Sequence, residues 1–241
     1  MKLNIGHVFA AAGAAWRQER GLIVPVAGLF YFVPTLALLL LLPEMQPVDR
    51  NGGDDAALQA LLGYAREHAG AILAVNFAQL VGTAVLLMLF LAPGRPLLGE
   101  ALKLSAGRML SFLAAGLLMW AGLMAGALLI LPALYLLGRF FLVTSALAAN
   151  PGAGPVEAIA RSWALTRGRG WWCFVATAIP FFAGQAAMSV AGGLDRAVTV
   201  AGGGAPLHLV FDALAALAGT ASWILTMLVK VTVYRALTKG T

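Results

Sequence analysis

Six long apolar runs, separated by short polar segments, set the pattern of this chain. The runs cover residues 22–42, 70–92, 110–131, 133–149, 171–190 and 207–235. About 20 apolar residues are needed to cross roughly 30 Å of hydrocarbon at 1.5 Å per residue. The pattern therefore predicts an all-α polytopic bundle of six transmembrane helices, with residues 1–241 as a single membrane domain. The fourth run is short and contains Arg139, which makes it the weakest of the six predicted spans.

The composition supports a membrane environment. The chain is 61% hydrophobic and only 11% charged, with a mean hydropathy of +0.88. A soluble domain could not cover so much apolar surface with so few charges. The net charge of +6 does not indicate a nucleic-acid partner, because the basic residues flank the apolar runs instead of forming a soluble patch. Cys173 is the only cysteine, so a disulfide or a thiolate metal cluster within the chain is excluded.

Basic residues alternate between the two sides of the predicted bundle. Twelve lie in the N-terminal segment, in the loops at 93–109 and 150–170, and at the C-terminal end. Three lie in the loops at 43–69 and 191–206. Under the positive-inside rule the twelve face the cytoplasm, so both termini are expected there. An even number of spans agrees with this orientation.

A repeated plan is suggested by the segments that precede spans one, three and five. Short amphipathic stretches at 7–17, 97–108 and 156–167 each lead into an apolar hairpin. They are expected to lie in the cytoplasmic interface, with continuation of the spans into the cytoplasm as the alternative. The external loop at 43–69 is expected to carry a short amphipathic helix over 56–68, with Leu58, Leu61, Leu62 and Ala65 on one face.

Polar residues inside the spans are the first candidates for a binding site, because they are costly in lipid. Counting from the span ends places five of them in one outer-leaflet layer: Arg139, Asp212, Gln185, Asn76 and Gln79. We expect Arg139 and Asp212 to form a buried ion pair. The layer would either bind a lipid headgroup or small solute, or lock the packing of the helices.

Catalytic motifs are missing from the sequence. It contains no glycine-rich phosphate loop with lysine, no GxSxG and no HExxH. His7, His68 and His208 lie in distant segments, so no metal site is expected, and no cofactor is implied. Lys230 and Arg235, at the cytoplasmic end of span six, are expected to anchor it by snorkelling.

Residues 135–172 carry a recognisable signature. It comprises Tyr-Leu-Leu-Gly-Arg at 135–139, Asn-Pro at 150–151, Pro-Val-Glu-Ala at 155–158 and Arg-Ser-Trp-Ala-Leu-Thr-Arg-Gly at 161–168. The signature resembles the YciC-like inner-membrane proteins and the related membrane domain of some bacterial glycerophosphoryl diester phosphodiesterases. The resemblance implies a helical protein of the bacterial inner membrane. The phosphodiesterases carry their chemistry in a separate soluble barrel, for which this chain has no room, so the resemblance argues against an enzyme.

The function expected from the sequence is non-enzymatic. Lipid handling, membrane organisation or scaffolding is the first interpretation, with membrane lipids as partners and Arg161, Arg167 and Arg169 as headgroup contacts. A transporter lined by the Arg139/Asp212 layer is the second. The third is an accessory subunit that packs on another membrane protein in a larger complex.

Overall fold

The computed structural model describes residues 4–43, 53–126, 130–200, 202 and 204–238. Within these ranges the chain forms eleven α-helices and no strand. A π-helical segment, Gly28–Phe32, joins the first two without a break. The helices are α1 (Ile5–Ala27), α2 (Val33–Leu41), α3 (Gly53–Glu67), α4 (Ala69–Leu91), α5 (Leu98–Gly107), α6 (Met109–Gly126), α7 (Ile130–Phe140), α8 (Val143–Ala149), α9 (Pro155–Leu165), α10 (Gly170–Val200) and α11 (Ala205–Thr238).

Six helical segments in the described ranges are long and apolar enough to cross a bilayer, which confirms the predicted all-α polytopic bundle. They pack as three hairpins. The first pairs the α1–α2 unit with α4, the second pairs α6 with the α7–α8 unit, and the third pairs α10 with α11. In the third hairpin Gly184 lies against Ser222, whose hydroxyl donates to the Pro180 carbonyl at 2.8 Å. This register makes α10 and α11 antiparallel.

The bundle exposes its large apolar side chains. On α6 only Phe112 and Ala115 are buried, whereas Leu110, Leu117 and Trp120 are exposed by 81%, 71% and 65%. Soluble monomers rarely show apolar surface of this extent, because water would make it unfavourable. Hydrocarbon is the solvent that fits such a surface.

The fourth span is the innermost element of the bundle, although its sequence makes it the weakest of the six. In an apolar stretch of 18 residues within it, 56% of the residues are buried, against 11% to 39% in the corresponding stretches of the other five segments. It is split at Phe141–Leu142 into α7 and α8, and α8 packs on α4, α6, α9 and α11. Helices therefore enclose the second half of this span.

Two predictions about the segments between spans are wrong. The stretch at 7–17 is not a separate helix, because α1 runs through it into the π-helical segment and α2. Residues 191–200 are not a loop, because α10 continues to Val200. The second and third stretches do form separate helices, α5 and α9. The helix expected over 56–68 is present as α3, and its leucines are exposed by 51% to 59%.

Basic side chains gather at one end of the bundle, which we call the basic end and define by Arg108, Arg169 and Arg235. Arg169 immediately precedes α10, and Arg235 lies near the end of the antiparallel α11. Arg108 precedes α6 and contacts the end of α8, whose Asn150 amide reaches the Tyr234 hydroxyl at 3.5 Å. The opposite end carries α3, the end of α10 and the start of α11.

Candidate functional site

Arg139 lies where α7 meets the first turn of α10. The preceding residue, Gly138, faces the Gly170 backbone so closely that an added Cβ would lie 2.0 Å from the Gly170 carbonyl oxygen. A Cβ on Gly170 would in turn lie 3.1 Å from Cδ of Arg139 and 2.6 Å from the Tyr135 ring. Two glycines therefore allow the stem of the arginine to rest directly on the start of α10.

The Arg139 guanidinium is buried among aromatic rings. The residue is 7% exposed, and its Cζ lies 4.7 Å from the Trp163 ring centroid and 5.9 Å from that of Tyr135. Its Nε and Nη1 are buried and have no hydrogen-bond partner in the described part of the chain. Its backbone carbonyl accepts from the Ser162 hydroxyl at 2.6 Å, which fixes α9 to α7. The side chain thus has cation–π contacts on its faces and unused donors on its edge.

The predicted ion pair between Arg139 and Asp212 is wrong. Arg139 touches Gly170 at the start of α10, whereas Asp212 lies one turn along α11 from His208. His208 Nδ1 is 2.6 Å from an Asp195 carboxylate oxygen near the other end of α10. The 25 residues from Gly170 to Asp195 span about 37 Å at 1.5 Å per residue. The two charges therefore lie near opposite ends of the bundle.

The three amides of the predicted layer do not join Arg139 either. Gln79 donates to the Thr35 hydroxyl at 3.2 Å and links α4 to α2. Asn76 is exposed and donates to the Ile72 carbonyl of its own helix at 2.8 Å. Gln185 is also exposed, on α10 beside the contact with Ser222. Only the Gln79–Thr35 bond fits the interpretation in which polar side chains hold helices together.

Arg161, Arg167 and Arg169 are all exposed at the connection between α9 and α10. We call residues 161–171 the α9–α10 elbow. The elbow is rigidly built, because Thr166 is fully buried, its hydroxyl donates to the Ser162 carbonyl at 2.7 Å, and its carbonyl accepts from Arg169 N at 2.9 Å. Trp163 and Trp171 are exposed by 38% and 48% within the same segment. Exposed cations and partly exposed indole rings therefore occur within one short segment.

Arg108 is a structural residue that sequence reasoning treated only as a topology signal. Its guanidinium donates to the carbonyls of Leu147, Asn150 and Ala153, and so satisfies the C-terminal end of α8. Partial burial lowers the pKa of Arg108 from its usual value. The acceptors lie 39 to 45 residues away in the sequence, so no local sequence pattern predicts them.

The snorkelling predicted for the end of span six is also wrong. Arg235 turns inward, donates to the Phe90 carbonyl at 2.6 Å and lies 5.8 Å from the Phe90 ring centroid. Lys230 lies 5.7 Å from the Phe141 ring centroid. Both side chains bind neighbouring helices and so join α11 to α4 and to the α7–α8 turn.

No protein family, curated protein or solved structure matches this chain.

Proposed function

We propose that this protein is a non-enzymatic, multi-pass protein of the bacterial inner membrane that binds anionic lipid at the cytoplasmic leaflet through the α9–α10 elbow. The observation that carries the proposal is the exposure of Arg161, Arg167 and Arg169 beside Trp163 and Trp171. Arginine attracts the phosphates of an anionic leaflet, and indole rings favour the same depth. The positive-inside rule places this end, and both termini, in the cytoplasm.

Lipid handling or membrane organisation suits this architecture better than transport. The polar layer that would have lined a pathway does not assemble, because Asp212 and Arg139 lie near opposite ends of α10. The fourth span, where such a pathway would pass, is packed on five other helices, α4, α6, α9, α10 and α11. The exposed elbow, in contrast, is available to lipid without a conformational change.

The proposal is tested by the lipids that the purified protein retains. The protein would be reconstituted in nanodiscs of mixed phosphatidylglycerol and phosphatidylcholine, and the retained lipids counted by native mass spectrometry. The elbow variant is R161Q/R167Q/R169Q. The control is R17Q/R20Q/K103Q, which removes the same charge from three exposed residues on α1 and α5.

The wild-type protein should retain phosphatidylglycerol in preference to phosphatidylcholine. Each arginine near an anionic surface contributes about 1 kcal/mol, so the elbow variant should lose the preference by tenfold or more. The control variant should keep most of it. Equal retention of the two lipids by the wild-type protein would contradict the proposal.

A further inference from the structure

The first turn of α10 has an unusual electrostatic environment. The helix is 31 residues long, begins at Gly170 and has no acidic residue in its first turn. The first N–H groups of a helix have no partner within the helix, and its dipole makes this end positive. Arg169 immediately precedes the helix, and Arg139 packs against Gly170. The stem of Arg139 and the backbone of Arg169 thus lie at a helix end that favours negative charge.

Arg139 carries a buried charge beside the start of α10. Arg139 is 7% exposed, and two of its nitrogens have no hydrogen-bond partner in the described ranges. A buried charge without a counter-charge or hydrogen bonds is strongly unfavourable. The unused donors of Arg139 are therefore suited to an anionic partner.

We propose that Arg139, Arg169 and the first-turn N–H groups of α10 bind a phosphate group. Helix N-termini bind phosphate through these N–H groups, and the planar guanidinium matches its oxygens in a bidentate arrangement. The exposed rings of Trp163 and Trp171 mark the depth at which lipid phosphates lie. The phosphate belongs to a lipid headgroup or is free inorganic phosphate. The lipid source rests on the proposed function, because the elbow is what would attract the lipid.

The test measures ligand-dependent thermal stabilisation of the full chain in mild detergent. The probes are inorganic phosphate, short-chain phosphatidylglycerol and short-chain phosphatidylcholine, each titrated separately. A ligand that binds the folded state raises the melting temperature with concentration. The variants are R139M and R169Q, and the control is R17Q, which removes an exposed arginine on α1, outside the elbow.

The expected signature is a pair of opposite effects. Without ligand, R139M should melt at or above the wild-type temperature, because an apolar side chain of similar length replaces an unpartnered buried charge. With phosphatidylglycerol or phosphate, the ligand concentration that gives a set rise in melting temperature should be at least tenfold higher for R139M than for the wild-type protein. For R169Q it should be several-fold higher. R17Q should respond within about twofold of the wild-type protein, because Arg17 lies outside both the elbow and the first turn of α10.

The separate titrations distinguish a lipid phosphate from free phosphate. They also distinguish the phosphate site from lipid binding by the elbow. A response to inorganic phosphate identifies free phosphate, and a response to phosphatidylglycerol alone identifies a lipid headgroup. If R139M and R169Q respond to both probes as the wild-type protein does, the phosphate site is wrong while elbow binding can still hold. If R139M does not accumulate, R169Q decides, because Arg169 is exposed and its replacement leaves the core intact. If phosphate binds through Arg139 but phosphatidylglycerol is not retained, the site holds and the lipid function fails.

Discussion

A methyl group added at Gly138 should force α7 away from α10. The Cβ of a G138A variant would lie 2.0 Å from the Gly170 carbonyl oxygen, 2.8 Å from its carbon and 3.1 Å from Phe174 N. Close C···O contacts in proteins are about 3.3 to 3.6 Å, so a separation of more than about 1 Å is required. The contacted atoms are backbone, and no side chain can rotate to relieve the overlap.

The expected loss follows from this geometry. Overpacking in a close-packed interior costs about 1 to 3 kcal/mol, and a backbone contact belongs at the upper end of that range. About 3 kcal/mol corresponds to a fall in melting temperature of about 6 to 12 °C for a chain of this size. Heating the protein in mild detergent, followed by size-exclusion chromatography of the surviving fraction, measures the shift.

The matched control is G116A, which adds the same atom to a helical glycine on α6. No atom lies within 4 Å of its Cβ position. Alanine is favoured over glycine in a helix by up to about 1 kcal/mol, so this variant should melt at or slightly above the wild-type temperature. Equal melting of G138A and G116A would refute the close contact between α7 and α10.

Three further predictions follow from other contacts. Replacing Arg108 by alanine should lower the free energy of unfolding by about 2 to 4 kcal/mol, because three carbonyls lose a charged donor. Replacing it by lysine should cause a smaller loss in the same melting assay, because lysine keeps the charge but not the planar set of donors. D195A and H208A should each lower the melting temperature slightly, and the double variant should lose little more than either single variant, since each substitution removes the same contact. A spin label at L61C on α3 should be more accessible to oxygen than to a water-soluble nickel reagent in liposomes, and Q59C should show the reverse, because Leu61 belongs to the predicted lipid-facing side; equal accessibility at both sites would contradict a membrane-surface helix.

The lengths of the apolar runs were enough to predict much of the fold. The number of spans and the helix in the loop at 43–69 could be predicted because each depends on a local pattern of adequate length. The continuous first helix could not be anticipated as readily. Pro25 lies inside α1, yet the helix continues through it into the π-helical segment. In such a helix the local turn adjusts its hydrogen bonding around a proline.

The candidate site depended on the register between helices, which the sequence does not record. Counting inward from the end of span four placed Arg139 level with Asp212. The register is instead set where Gly138 meets Gly170, and the chain contains 28 glycines, so their identity alone did not single out this pair. The exposed elbow arginines were easier to predict, because a cation in a loop between spans needs no knowledge of tertiary packing.

The central claim is that the chain crosses a bilayer six times with its basic end inside the cell. Replacing the single cysteine in C173A gives a background for new cysteines at exposed positions. In intact cells, a membrane-impermeant maleimide should label Q59C and R196C. K103C and G152C should be labelled only after the cells are permeabilised. Labelling of G152C and R196C from the same side of the membrane would contradict the account.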